Sequence, residues 1–143
     1  MPSLADLMRV VLANALVFRQ HAHMAHWNIQ GAGLFPSLHD FLGELYEDLE
    51  TAVDDAAERI RVLGEQAPST IAALLAPATI PDDAAAPQWS AVRSQLLRDN
   101  AYLAASLREA ADAASDADDQ GLLNWIADRL DRQGKWGWKL QSS

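Results

Sequence analysis

The chain has 143 residues, half of them apolar and 22% charged, with 7 Gly and 6 Pro, which fits one globular domain over residues 1–143 and excludes disorder or a collagen-like repeat. The lack of any cysteine removes a disulfide framework, a thiolate metal site and a cysteine nucleophile together. Eleven basic against twenty acidic residues leave a formal net charge of −9, so the surface repels phosphate and opposes non-specific DNA binding.

No targeting signal is visible at the start. Residues 1–6 carry no basic side chain, and the apolar stretch 10–18 contains Asn14 between Arg9 and Arg19. It is too short and too polar to cross a bilayer and lacks the layout of a secretory signal. A soluble, cytoplasmic protein with no membrane partner is expected.

Ser3 followed by Asp6 predicts a helix start, with a hydroxyl cap and an acid in the first turn. Leu4, Leu7, Met8, Val11, Leu12, Ala15 and Leu16 recur at amphipathic spacing, and no Gly or Pro interrupts before Gly31. One helix is therefore expected from about residue 4 to about residue 30. A second begins near Pro36, carries the stripe Leu38, Phe41, Leu42, Leu45, Leu49, Ala52, Val53, Ala56, Ile60 and Leu63, and closes at Gly64. Pro68, Pro77, Pro81 and Pro87 then punctuate a long crossover, with a short helix predicted over residues 71–75.

The next helix, about 88–114, turns Trp89, Val92, Leu96, Leu97, Leu103 and Leu107 inward and runs parallel to the second. An acidic, alanine-rich break at 115–119 precedes a last helix over 122–140. The expected fold is all-α: a ferritin-like four-helix bundle whose long crossover, between its second and third helices, carries a short extra helix.

All four histidines, His21, His23, His26 and His39, lie in one window, and the first glutamate is Glu44. No Glu-x-x-His pair exists, so the di-iron arrangement that such bundles build inside one subunit is excluded. His26 and His39 flank the first turn and face each other in an antiparallel hairpin. Asp54 and Glu58 lie one turn apart on one face of the second helix. Fifteen residues separate His39 from Asp54, about 22 Å along a helix, so no ion touches both within one chain. If the four residues share a metal, the site lies between two subunits, and a two-fold interface makes two such sites.

The run His26-Trp27-Asn28-Ile29, then Leu38-His39, then the segment from Val53 to Ile60 with its Asp54 and Glu58-Arg59, then Leu63-Gly64, resembles the Dps family of miniferritins. Lys135-Trp136-Gly137-Trp138 is similar to the tryptophan-containing close of that family. The resemblance covers most of the chain. It implies a hollow dodecamer, assembled from two-fold dimers of this chain, that oxidises Fe(II), preferably with hydrogen peroxide, at ferroxidase sites between subunits and stores the ferric mineral. It also implies His26 and His39 from one subunit, with Asp54 and Glu58 from its partner, as iron ligands, and Trp27 as an electron donor or acceptor beside them.

Two departures stand out. Gly43 occupies the place, one turn after His39, where the family has an aspartate, and Glu44 points about 100° away. The loop between His26 and His39 is one residue longer. Both bear on the second iron, so an alternative expectation is a Dps-like shell with an impaired ferroxidase site. DNA compaction draws on the family name alone, and the charge and the lack of a lysine-rich arm oppose it.

Other features have plainer readings. His21 and His23 are expected to be satisfied core or surface residues. Asp112, Asp116, Asp118 and Asp119 cap the last helix or, on the resemblance, line a pore for iron. The five tryptophans belong to core or interfaces, and Arg129, Arg132, Lys135 and Lys139 complement a helix dipole.

Overall fold

Helix α1 (Leu4–Asn28) opens on a reciprocal cap: the Ser3 hydroxyl accepts from the Asp6 N–H, and the Asp6 carboxylate accepts from the Ser3 N–H, both at 3.1 Å. The chain, described here over residues 1–143 by a computed structural model, continues through α2 (Phe35–Val62), α3 (Ile71–Leu75), α4 (Trp89–Asp116) and α5 (Gln120–Gln141), with no strand. α1 ends at Asn28, before the expected residue 30. Gln30 instead donates its N–H to the Pro87 carbonyl at 2.9 Å, which ties the first turn to the entrance of α4. At the far end of α2, Gly64 takes a positive φ of 87°, a backbone conformation that side chains resist and glycine accepts.

α1 and α2 form one antiparallel hairpin, and α4 and α5 form the other. The Gln30–Pro87 contact sets the end of α1 beside the start of α4, so α4 runs parallel to α2 across the crossover. The core is one cluster of aliphatic side chains, among them Met8, Leu12 and Phe18 from α1, Leu42, Leu45 and Leu49 from α2, Leu96, Leu103 and Leu107 from α4, and Leu122 and Ile126 from α5. This is the ferritin-like bundle that the periodicity and the crossover predict. α5 begins at Gln120 because Asp119 caps it, its carboxylate accepting from the Leu122 N–H at 3.0 Å.

Polar side chains pin the elements at points the apolar stripes do not mark. Fully buried Asn14 accepts from the N–H groups of Thr79 and Ile80 at 2.8 and 3.1 Å, and donates to the Thr79 hydroxyl at 2.8 Å. The crossover is thereby held against α1. Asp48 of α2 receives Arg129 and the Trp136 indole N–H of α5, each at 2.7 Å. Arg129 is 3% exposed, so it is a buried tie between α2 and α5 rather than the surface complement to a helix dipole that its position suggests. Its Nη1 donates to Asp48 and, at 3.1 Å, to the Gln133 side-chain oxygen, which offsets part of the cost of burying the charge. No helix is long and apolar enough to cross a membrane.

Candidate metal centre

His26 sits in the last turn of α1 and His39 in the first turns of α2, so the hairpin brings their rings together. The imidazoles stack at 3.6 Å between centroids with 17° between planes. His26 donates its Nδ1–H to the His39 carbonyl at 2.6 Å, and His39 donates its Nδ1–H to the His26 carbonyl at 2.8 Å. A carbonyl oxygen only accepts, so the hydrogen bond puts the proton on Nδ1 of each ring. The two Nε2 atoms are left with their lone pairs. This is the tautomer a metal-binding histidine needs, set by a backbone partner on the opposite ring nitrogen. Rings stacked face to face cannot close on one ion as a chelate.

Gly43 lies beneath the His26 ring. A Cβ there would stand 3.3 Å from His26 Cε1 and 3.5 Å from its Nδ1. A side chain at 43 would press on the His26 ring, which would have to give by a few tenths of an ångström, and the nearest following acid, Glu44, is exposed.

Asp54 and Glu58 project from α2 into solvent, and neither has an ion-pair partner among the chain's salt bridges. α2 is unbroken from Phe35 to Val62, so the axial distance from His39 to Asp54 is about 22 Å. No three His, Asp or Glu side chains of one chain stand close enough to hold an ion. The structure therefore joins His26 to His39 and Asp54 to Glu58, and keeps the two pairs apart.

Trp27 is 56% exposed, and its aromatic neighbour is His23, at 4.5 Å between centroids. Two residues stand beside the histidine pair: His23, read from sequence as a core or surface residue, and Tyr46, which was not singled out. His23 stacks on Tyr46 at 4.1 Å with 13° between planes, and Tyr46 meets the His26 ring edge-on at 5.3 Å. The spacing carried the signal: His23 is three residues before His26, and Tyr46 is three after Gly43, hence on the same helix faces. Partial burial, and the charges of Arg19 and His26, lower the His23 pKa below its ordinary value, which keeps that ring neutral near pH 7.

His21 belongs elsewhere. It is 4% exposed, with Nδ1 2.5 Å from an Asp99 carboxylate oxygen and Nε2 3.5 Å from Asp82. Burial disfavours its charged form, but hydrogen bonding to Asp99 and the charges of Asp99 and Asp82 outweigh that and raise its pKa. It is a core histidine satisfied by ion pairing.

Comparison with known proteins gives the class first. The ferritin-like domain family matches residues 5–142. A DNA protection during starvation protein of Brevibacillus brevis is 32% identical over 127 residues, covering 89% of this chain and 82% of that one. The crystal structure of the Dps protein of Vibrio cholerae O1, described as one of the ferritin-like diiron-carboxylate proteins, superposes with a TM-score of 0.92 at 29% identity, over 97% of this chain and 87% of that one. A Dps protein from Bacillus brevis superposes with a TM-score of 0.90 at 29% identity, over 97% and 93%. The chain belongs to the ferritin-like family and, within it, to the Dps family.

Proposed function

We propose that this protein is a ferroxidase and iron store whose oxidation sites lie between two copies of the chain. One subunit contributes His26 and His39; Asp54 and Glu58 come from its partner across a two-fold axis, which generates two equivalent sites. The observation that carries this reading is the reciprocal locking of His26 and His39, which leaves both Nε2 atoms free beside no carboxylate of their own chain. Exposed, unpaired Asp54 and Glu58 supply the complementary charge.

The donor set suits the substrate. Imidazole nitrogen and carboxylate oxygen bind Fe(II), and the two carboxylates favour the more highly charged Fe(III), which promotes electron loss. Two Fe(II) deliver the two electrons that hydrogen peroxide takes up, with two protons, to become two water molecules. Trp27 stands at the edge of the cluster as an electron donor or acceptor. The ferric product is kept inside a hollow oligomer, a dodecamer on the family pattern, in the cytoplasm. With −9 per chain, assembled copies repel DNA, so compaction of nucleic acid is not assigned to this protein.

A second reading has one specific observation in its favour. Gly43 offers no carboxylate to the second position, and the His26 ring occupies the space beside it. On that reading the protein is a Dps-like shell with impaired oxidation. Stopped-flow Fe(II) oxidation by peroxide separates the two. A fast phase lost in the Asp54→Ala, Glu58→Ala double variant supports the ferroxidase, whereas wild type and variant that both match the buffer blank leave only the shell.

A further inference from the structure

His21, Asp82 and Asp99 bring α1, the crossover and α4 together at one point. The Asp99 carboxylate is fully buried and both of its oxygens are used. One lies 2.5 Å from His21 Nδ1, and the other accepts from Nε and Nη2 of Arg98 at 3.2 and 2.9 Å. His21 donates its Nδ1–H to this carboxylate, which leaves Nε2 on the side of the cleft between α1 and the crossover. That cleft has a volume of about 540 Å3, and its polar lining is Gln20, His21 and Asp82.

Asp82 faces the ring. One of its oxygens stands 3.5 Å from His21 Nε2, and its side chain is 92% exposed with no other hydrogen bond or ion pair. Its backbone is fixed from both sides. The N–H groups of Thr79 and Ile80 are held by Asn14, while Arg98 binds the Pro81 carbonyl at 3.3 Å and the Asp83 carboxylate at 2.7 and 2.9 Å. A gap of 3.5 Å is long for a hydrogen bond. A nitrogen and an oxygen bound to one tetrahedral ion, each at about 2.1 Å, stand about 3.4 Å apart. With His21 neutral, Asp82, Asp83, Asp99 and Arg98 leave two net negative charges, which a divalent cation cancels.

We propose that His21 Nε2 and the Asp82 carboxylate bind a divalent cation of the zinc class, with water from the cleft filling its remaining positions. Asp99 does not touch the ion, so the chain supplies two ligands rather than three. It orients the imidazole and raises its basicity from behind, as a carboxylate partner does for a metal-binding histidine, and Arg98 holds it there. Imidazole beside carboxylate selects zinc, cobalt or ferrous ion over calcium or magnesium. Two protein ligands make an exchangeable site, and its occupant clamps the crossover to α1. The site shares no residue with His26, His39, Asp54 and Glu58 and does not rest on the ferroxidase reading.

Co(II) is the probe, because a tetrahedral site gives it strong visible absorption. The full-length assembled protein carries His26→Ala and His39→Ala, which removes the nitrogens of the candidate metal centre. This protein is expected to show a tetrahedral Co(II) spectrum that Zn(II) displaces. Adding Asp82→Asn, a change to an exposed side chain, should weaken Co(II) binding at least about tenfold, the low end of what loss of a supporting residue alone costs. Zn(II) should also slow backbone amide exchange over residues 79–86 in the wild-type chain and not in Asp82→Asn. The proposal is overturned by the lack of a tetrahedral spectrum, by equal Co(II) affinity with and without Asp82→Asn, or by crossover exchange that Zn(II) leaves unchanged or slows equally in both chains. His21 is then a core histidine alone.

Discussion

His26 and His39 fix each other: each ring donates Nδ1–H to the other's backbone carbonyl, at 2.6 and 2.8 Å, and the rings stack at 3.6 Å. Ring orientation and tautomer at the centre are thus set by the turn between α1 and α2, without a carboxylate relay. His39→Ala removes one nitrogen donor and the stacking support of the other. Co(II) titration of the assembled protein is expected to show affinity weakened about 10- to 100-fold, the range found when support around a ligand is lost. An unchanged affinity would mean that the pair is packing alone.

Gly43 supports a contrast between two substitutions. In a helix interior Ala is normally favoured over Gly by about 1 kcal/mol. That gain is expected at Gly134, where an added Cβ meets nothing within 4 Å, but at Gly43 the contact with His26 offsets it. Thermal unfolding should therefore rise in Gly134→Ala and stay level or fall in Gly43→Ala. Gly43→Asp adds a carboxylate beside His39, and calorimetric titration should then count more metal per site than in wild type, whereas Gly43→Ala should not.

His21 and Asp99 join α1 to α4 in the core, and Arg98, hydrogen-bonded to Asp83 and Asp99, extends the network to the crossover. The Arg98 hydrogen bonds hold the exposed Asp83 carboxyl down at about 2, so this carboxylate stays charged throughout the neutral range. The His21 pKa is raised in the folded chain, so its contribution is complete below the ordinary value of 6.5 and is lost as pH rises through the folded value. Stability measured by denaturant should decline as pH rises above 6.5. In His21→Asn that decline should flatten, with about 2–3 kcal/mol lost at pH 6 because Asp99 is left buried with one cation fewer. A wild-type profile flat from pH 6 to 9 would contradict the assignment.

The helices and their order were legible because apolar spacing and Pro or Gly breaks report local geometry, as Leu42, Leu45 and Leu49 do on α2. The His26–His39 pairing was legible too, since a short turn forces residues on either side of it together. Asp99, Asn100, Arg129 and Gln133 were not, because they are polar residues buried by partners on other helices, which periodicity treats as surface. Tyr46 escaped for a related reason: its contacts arise from the bare backbone at Gly43 and from His23 and His26 on the facing helix, which no single-helix pattern records. The separation of Asp54 and Glu58 from the histidines was clear from spacing alone, and it is what makes a second chain necessary if the four share a metal.

Mixed assemblies provide the sharpest measurement. Chains carrying His26→Ala and His39→Ala are co-assembled with chains carrying Asp54→Ala and Glu58→Ala, and Fe(II) oxidation by peroxide is followed. Each variant alone should be inactive. Random mixing makes half the two-fold pairs mixed, and each of these regains one intact site of two, so about a quarter of wild-type activity should return. A mixture as inactive as its components would contradict a site built from two chains.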